Sequence, residues 1–135
     1  MEKKTEILIT EFLKDQIPGL IAIYIFGSMA DNSSTPESDI DIAFLTFQKV
    51  SAVEKWKIQE ELASILNFDV DLVDLKDASV VLRSEIIENG IRIFTGNAYE
   101  CDNFEVTTYS MYADLNESRI DILNDFKEKY GRNSD

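Results

Sequence analysis

The chain has 135 residues, of which 44% are hydrophobic and 29% are charged, a balance typical of one soluble globular domain. Its net charge of −13 disfavours stable binding to nucleic acid, because a long row of phosphates would be repelled. Histidine is absent, which excludes histidine-based triads and histidine-ligated zinc. Carboxylates therefore remain as the obvious chemical groups.

The cysteine content and the hydropathy pattern indicate the compartment. Cys101 is the single cysteine, so a disulfide framework is excluded and a cytoplasmic location is expected. No basic residue lies near it in the sequence, and we expect an inert thiol. No apolar run approaches the roughly 20 residues that span a bilayer, so no membrane association is predicted.

The first quarter of the chain predicts a helix, a buried strand and a turn. Apolar residues recur at spacings of three and four through residues 3–16, which favours a helix. Its predicted core stripe is Ile9, Phe12, Leu13 and Ile17. Residues 20–26 (LIAIYIF) are apolar at every position, as in a central strand covered on both faces. Gly27 and Ser28 end this strand and open a short helical turn, before a polar loop at residues 31–38.

Two later strands carry the acidic residues. Residues 39–45 (DIDIAFL) alternate, so Asp39 and Asp41 project from one face of a second strand. Residues 68–75 (FDVDLVDL) form a third strand. In that strand Asp69, Asp71 and Val73 share one face, opposite Asp74.

The remaining segments are predicted to be mostly helical. Ser51 and Glu54 form a capping-box pattern at the start of the second helix. The predicted elements are helices at residues 51–67, 78–89 and 106–130, and a short strand at 91–94, with Gly90 ending the third helix. The core stripe of the second helix is Ile58, Leu62, Ile65 and Leu66, with Trp56 partly exposed on the opposite side. Residues 95–103 are the predicted linker.

This alternation predicts an α/β or α+β domain with a mixed sheet and flanking helices. Residues 1–96 form the core, and residues 97–135 form the linker and a C-terminal helix of undecided role. The aromatic and apolar residues of that helix either cover the domain's own core or bind a partner. They are Tyr112, Leu115, Phe126 and Tyr130. The nearby group Tyr99, Tyr109 and Tyr112 has few aliphatic neighbours, which favours an interface.

The acidic strands and the Gly27-Ser28 turn together indicate phosphate chemistry. Asp39 and Asp41 lie beside the core, where carboxylates are costly unless paired or bound to a cation, and Mg²⁺ prefers such hard oxygen ligands. If the third strand lies beside the second, Asp71 approaches the same point, where it would complete the metal site and could accept a proton from an acceptor hydroxyl. Gly27 allows a phosphate close to the backbone, and Ser28 offers it another hydrogen bond.

The stretch GSMADNSSTPESDIDIAF carries a pattern of Gly-Ser, ten residues, then Asp-x-Asp. It resembles the signature of the DNA polymerase β-like nucleotidyltransferase superfamily. The resemblance to its minimal nucleotidyltransferase branch extends over about residues 7–96, including VDLVDL and LRSEIIENGIRIF. It implies Gly27 and Ser28 as ligands of the ATP triphosphate, Asp39 and Asp41 as Mg²⁺ ligands, and Asp71 as the third carboxylate.

Members of that branch are commonly antitoxins paired with HEPN-domain ribonuclease toxins. The resemblance therefore implies transfer of AMP from ATP to a tyrosine of a cognate HEPN toxin, which silences the toxin. Many relatives carry an arginine shortly after the Gly-Ser pair, where Met29, Ala30 and Asp31 stand here. Arg83 or Lys76 is the candidate replacement, although Arg83 also fits a surface or salt-bridge role.

Two other functions remain open at this point. One is nucleotidyl transfer to a small hydroxylated molecule such as an antibiotic, for which about 35 residues after the linker leave little room for a substrate domain. The other is an antitoxin that acts by binding alone.

Overall fold

The fold is a mixed sheet with helices on both faces. The computed structural model describes residues 1–30 and 39–130, and only the backbone of residues 119–123, 126, 129 and 130. In chain order the elements are α1 (Lys3–Gln16), β1 (Leu20–Phe26), a 3₁₀ turn (Gly27–Met29), β2 (Ile40–Thr46), α2 (Ala52–Leu66), β3 (Val70–Asp74), α3 (Val80–Asn89), β4 (Ile91–Thr95) and α4 (Ala98–Tyr130). The loop predicted at residues 31–38 lies outside the described residues.

The strand order across the sheet is β3-β2-β1-β4. Strand β1 is antiparallel to both of its neighbours, whereas β2 and β3 are parallel. A parallel pair needs a crossover connection, and α2 provides it. The prediction of β1 as a central strand is confirmed, and residues 21–25 are buried.

Each face of the sheet has its own hydrophobic core, because side chains alternate along each strand. The first core lies under α1 and α2, and its largest buried members include Ile9, Leu13, Ile23, Ile42, Phe44, Leu62 and Leu72. The second lies under α3 and α4, and its members include Tyr24, Ala43, Leu45, Leu75, Ile86 and Cys101. Asp41 and Asp71 alternate with residues of the first core, so they project from the α3/α4 face.

Helix α2 confirms the predicted cap but corrects the predicted stripe. The Ser51 hydroxyl accepts a hydrogen bond from the Glu54 N–H at 3.1 Å. Trp56 is 60% exposed, as expected, but Ile65 is also 51% exposed rather than buried. The buried row runs through Ile58 and Leu62 to Leu66 at a spacing of four, and Ile65 lies beside that row.

Helix α4 begins at Ala98, so the predicted linker at residues 95–103 is wrong for most of its length. The Asn97 side chain accepts a hydrogen bond from the Glu100 N–H at 3.1 Å, which caps the first turn. Cys101 and Thr108 are buried, so the first half of α4 packs on the sheet. Phe126 and Tyr130 lie among the residues whose side chains are not described. Within residues 1–30 and 39–130, no helix has both the length and the apolar character to cross a membrane.

Candidate active site

The end of β1 and the beginnings of β2 and β3 meet at one end of the sheet. Asp41 of β2 is aligned with Phe26 on one side and with Asp71 of β3 on the other. Neighbouring strands lie about 4.8 Å apart, so the two carboxylates project side by side from the α3/α4 face. Strand β3 thus lies beside β2, which is the condition under which Asp71 is expected to approach the other two carboxylates.

Asp41 has the most perturbed environment of the three carboxylates. Its side chain is half-buried, whereas Asp39, directly before β2, and Asp71 are exposed. Burial raises the pKa of Asp41, and the negative charges of Asp71 and then Asp39 raise this pKa further. The three carboxylates therefore repel one another at neutral pH. A cation bound between them would stabilise their ionised forms.

Gly27 holds the 3₁₀ turn against Asp41. Its φ of +69° lies in the left-handed region, and a Cβ at this position would overlap the Asp41 Oδ2 atom. A glycine is therefore required at position 27 for two reasons: its backbone adopts a positive φ without strain, and it has no side chain to overlap Asp41. The turn closes with an Ala30 N–H bonded to the Gly27 carbonyl at 3.1 Å. Ser28 follows Gly27 directly, in the turn that packs against β2.

Gly27→Ala is expected to lower the rate of the predicted nucleotidyl transfer by about a hundredfold, because the added methyl group displaces the Asp41 carboxylate. Gly19→Ala is the matched control, since Gly19 has a similar φ of +70° but a Cβ there would meet its nearest atom, Phe47 Cβ, at 3.5 Å. Both substitutions place a side chain on a backbone with a φ near +70°, so both introduce similar strain. A larger loss of initial rate in Gly27→Ala than in Gly19→Ala therefore measures the effect of the contact with Asp41. Equal loss of activity in both variants would contradict the contact with Asp41.

The site offers oxygen donors of the kind that magnesium prefers. Two aligned carboxylates and a third before β2 offer hard oxygen ligands, and Mg²⁺ usually takes one or two carboxylates together with phosphates and water. Among the described residues, no group of three acidic, histidine or cysteine side chains is already close enough to hold a metal by itself. The paired carboxylates of Asp41 and Asp71 fit a cation whose other ligands are phosphate and water oxygens.

Arg83 and Lys76 do not reach the carboxylates. The Arg83 guanidinium donates to the carbonyls of Leu75 and Lys76 at 2.7 and 2.6 Å. The central carbon of this guanidinium lies 5.5 Å from the centre of the Phe104 ring. The Lys76 ammonium donates to the Phe47 carbonyl at 3.0 Å. These carbonyls lie beyond the far ends of β2 and β3. The geometry thus favours the structural role for Arg83 over the phosphate role.

The expected lack of a basic neighbour for Cys101 is wrong. The Arg92 guanidinium donates to the Cys101 sulfur at 2.7 Å and to a Glu105 oxygen at 3.0 Å, and the Tyr24 hydroxyl lies 3.3 Å from the same sulfur. Burial and the hydrogen bond to Cys101 raise the pKa of Tyr24 far above its usual range. The register aligns Tyr24 with Arg92, a pairing of β1 with β4 that spacing along the chain does not reveal. This network anchors α4 on the sheet.

The sequence matches a known protein family over most of its length. The profile of the polymerase β nucleotidyltransferase family matches residues 8–99. The chain belongs to this nucleotidyltransferase family. The match covers the turn, all three carboxylates and all four described strands. The sequence-based resemblance is therefore confirmed at the level of the family.

Individual relatives of this nucleotidyltransferase are similar over nearly their full length. Protein adenylyltransferase MntA of Shewanella oneidensis is 38% identical over 125 residues, which are 93% of this chain and 89% of the relative. A crystal structure of a toxin–antitoxin with AMP-PNP matches with a TM-score of 0.81 and 39% identity, over 90% of this chain and 97% of the other. The structure of the tri-AMPylated Shewanella oneidensis HEPN toxin in complex with its MNT antitoxin matches with a TM-score of 0.78 and 37% identity, over 93% and 98%.

Proposed function

We propose that the protein is an antitoxin that transfers AMP from ATP to a tyrosine of a cognate HEPN toxin. The observation that carries the proposal is the alignment of Asp41 with Asp71 beside the Gly27 turn. Support also comes from the similarity to an adenylyltransferase and to an antitoxin solved with a tri-AMPylated toxin. The solved toxin–antitoxin with AMP-PNP supports ATP as the nucleotide.

In this proposal each site residue has one role. Gly27 and Ser28 bind the triphosphate through the free N–H groups of the turn and the Ser28 hydroxyl. Asp39 and Asp41 would hold Mg²⁺. Bound magnesium would supply charge neutralisation of the phosphates and of the leaving group.

Asp71 is the proposed proton acceptor. The tyrosine oxygen forms a bond to the α-phosphorus of ATP, the bond from that phosphorus to the β-phosphate bridge breaks, and pyrophosphate leaves. The tyrosine proton moves to the Asp71 carboxylate, which is exposed and therefore accessible to a protein substrate. The product is an AMP ester on the toxin.

The surface and the charge of the protein fit a protein substrate. A net charge of −13 attracts a basic partner and disfavours stable binding to nucleic acid. On α4, Tyr99 is 74% exposed and Tyr109 is 43% exposed, so this helix is the proposed docking surface. The single free cysteine supports the cytoplasm as the compartment.

Intact mass spectrometry of the cognate toxin tests the proposal. We expect that incubation with this protein, ATP and Mg²⁺ increases the toxin mass by whole AMP units, because the site is built to transfer the α-phosphoryl group. Asp41→Asn serves as the inactive control. The same samples are assayed for ribonuclease activity.

The two measurements together distinguish the proposed enzyme from a binding antitoxin. Loss of ribonuclease activity that appears only with the added mass supports enzymatic neutralisation. An unchanged toxin mass, with full inhibition by both the wild type and Asp41→Asn, would show that the protein neutralises by binding.

A further inference from the structure

Strand β3 is an outer strand of the sheet, so half of its backbone N–H and C=O groups point away from β2. The Ile40 N–H donates to the Asp69 carbonyl at 2.8 Å, and the Leu75 N–H donates to the Phe44 carbonyl at 3.0 Å. Odd-numbered residues of this segment therefore pair with β2. By the same alternation, the carbonyl of Asp71 faces β2 and the N–H of Leu72 faces the outer edge.

A side chain from α2 bonds to that outward N–H. The Gln59 Oε1 atom accepts a hydrogen bond from the Leu72 N–H at 2.9 Å. Gln59 is half-buried and follows Ile58, which is packed in the core under α2. Loss of this acceptor would leave a partly buried N–H without its partner, which is unfavourable.

The bonded N–H belongs to the same peptide plane as the Asp71 carbonyl. A peptide group is planar, so a bond to β2 on one side and a bond to Gln59 on the other fix its orientation. This plane sets the ψ angle of Asp71 and with it the direction of the carboxylate. We infer that Gln59 is a positioning residue for the Asp71 carboxylate, an inference that rests on the proposed role of Asp71 in the transfer.

Gln59→Met tests the inference, because methionine keeps the length and most of the shape of glutamine but cannot accept this bond. We expect kcat for AMP transfer to the toxin to fall about tenfold with an unchanged KM for ATP, since only a group used in the chemical step is displaced. Gln59→Glu retains an acceptor oxygen and is expected to restore kcat to within about twofold of wild type. Gln16→Met, the same substitution on the exposed end of α1, is the control for the residue change itself.

A structural role alone would not reproduce the coupling between the two residues. In an Asp71→Asn background, Gln59→Met is expected to have no further effect on kcat, because the group that it positions is already gone. Amide exchange at Leu72 is expected to accelerate about tenfold in Gln59→Met and not in Gln16→Met. Amide exchange is measured on the protein without substrates, so it reports the hydrogen bond to Gln59 independently of the transfer reaction.

Three results would overturn the inference. The first is an unchanged kcat in Gln59→Met, and the second is an equal loss in the wild-type and Asp71→Asn backgrounds. The third is full activity of Asp71→Asn itself, which would also remove the proposed role of Asp71. A loss of activity in Asp71→Asn with none in Gln59→Met would leave the proposed function standing and reject Gln59 alone.

Discussion

Asp41→Asn is expected to lower the rate of AMP transfer by about a thousandfold or more and to leave the fold intact. Asparagine has the same shape but lacks the charge that holds a cation on the phosphates, and several kcal/mol of transition-state stabilisation are lost with it. The pKa of Asp41 is raised by burial and by two neighbouring carboxylates, so removal of its charge also relieves repulsion. Asp39→Asn is expected to have a similar effect. Initial rates measure the loss of transfer, and thermal melting shows whether the fold remains intact.

Asp74→Asn is the matched control for these variants. Asp74 is 4% exposed on the other face of β3, and its Oδ1 atom accepts from the Lys76 N–H at 3.0 Å, a bond that asparagine retains. We expect normal transfer in this variant. Titration calorimetry with ATP and Mg²⁺ provides the direct test of the metal role. Wild-type affinity for Mg-ATP in the Asp39→Asn/Asp41→Asn double variant would exclude these two residues as ligands.

Asp71→Asn is expected to slow the chemical step by about a hundredfold to a thousandfold and to weaken Mg-ATP binding much less. Removal of a general base leaves the nucleotide contacts in place but leaves the acceptor hydroxyl without its proton acceptor. Single-turnover rates and calorimetry on the same preparation separate the two quantities. Asp69→Asn is the control and is expected to retain activity. Asp69 lies two residues before Asp71 and is also exposed.

Two results would change this assignment. If Asp71→Asn binds Mg-ATP as weakly as Asp39→Asn, Asp71 is a metal ligand rather than a base. If Asp71→Asn is fully active and Asp69→Asn is not, the role belongs to Asp69.

The local elements were predictable from the sequence because their signals are local. Helix α1 and strand β1 begin and end at the predicted residues, since a 3.6-residue period and an uninterrupted apolar run are unambiguous patterns. Alternation along β2 and β3 also assigned the carboxylates to their faces. The sequence alone could not show that β2 and β3 are neighbours. The observed register of these two strands aligns Asp41 with Asp71.

The contacts that the sequence did not reveal join residues far apart in the chain. Arg83 lies in α3, and only the packing of α3 on the sheet decides that its guanidinium meets the Leu75 carbonyl. Arg92 and Cys101 meet because β4 pairs with β1 and α4 folds back over both. The start of α4 is a different case, since Asn97 followed by Glu100 is a recognisable capping pattern that sequence reasoning overlooked.

The pairing of β1 with β4 has a consequence for synthesis of the protein. Strand β1 (Leu20–Phe26) is made early, but the partner for one of its edges, β4 (Ile91–Thr95), is made some 65 residues later. Until then an uncharged, strongly apolar strand has an open edge, which is the form most prone to pair with other chains. A polypeptide released before residue 91 is therefore expected to aggregate rather than to persist with a partly formed site. The transfer site is expected only in chains that are translated past β4.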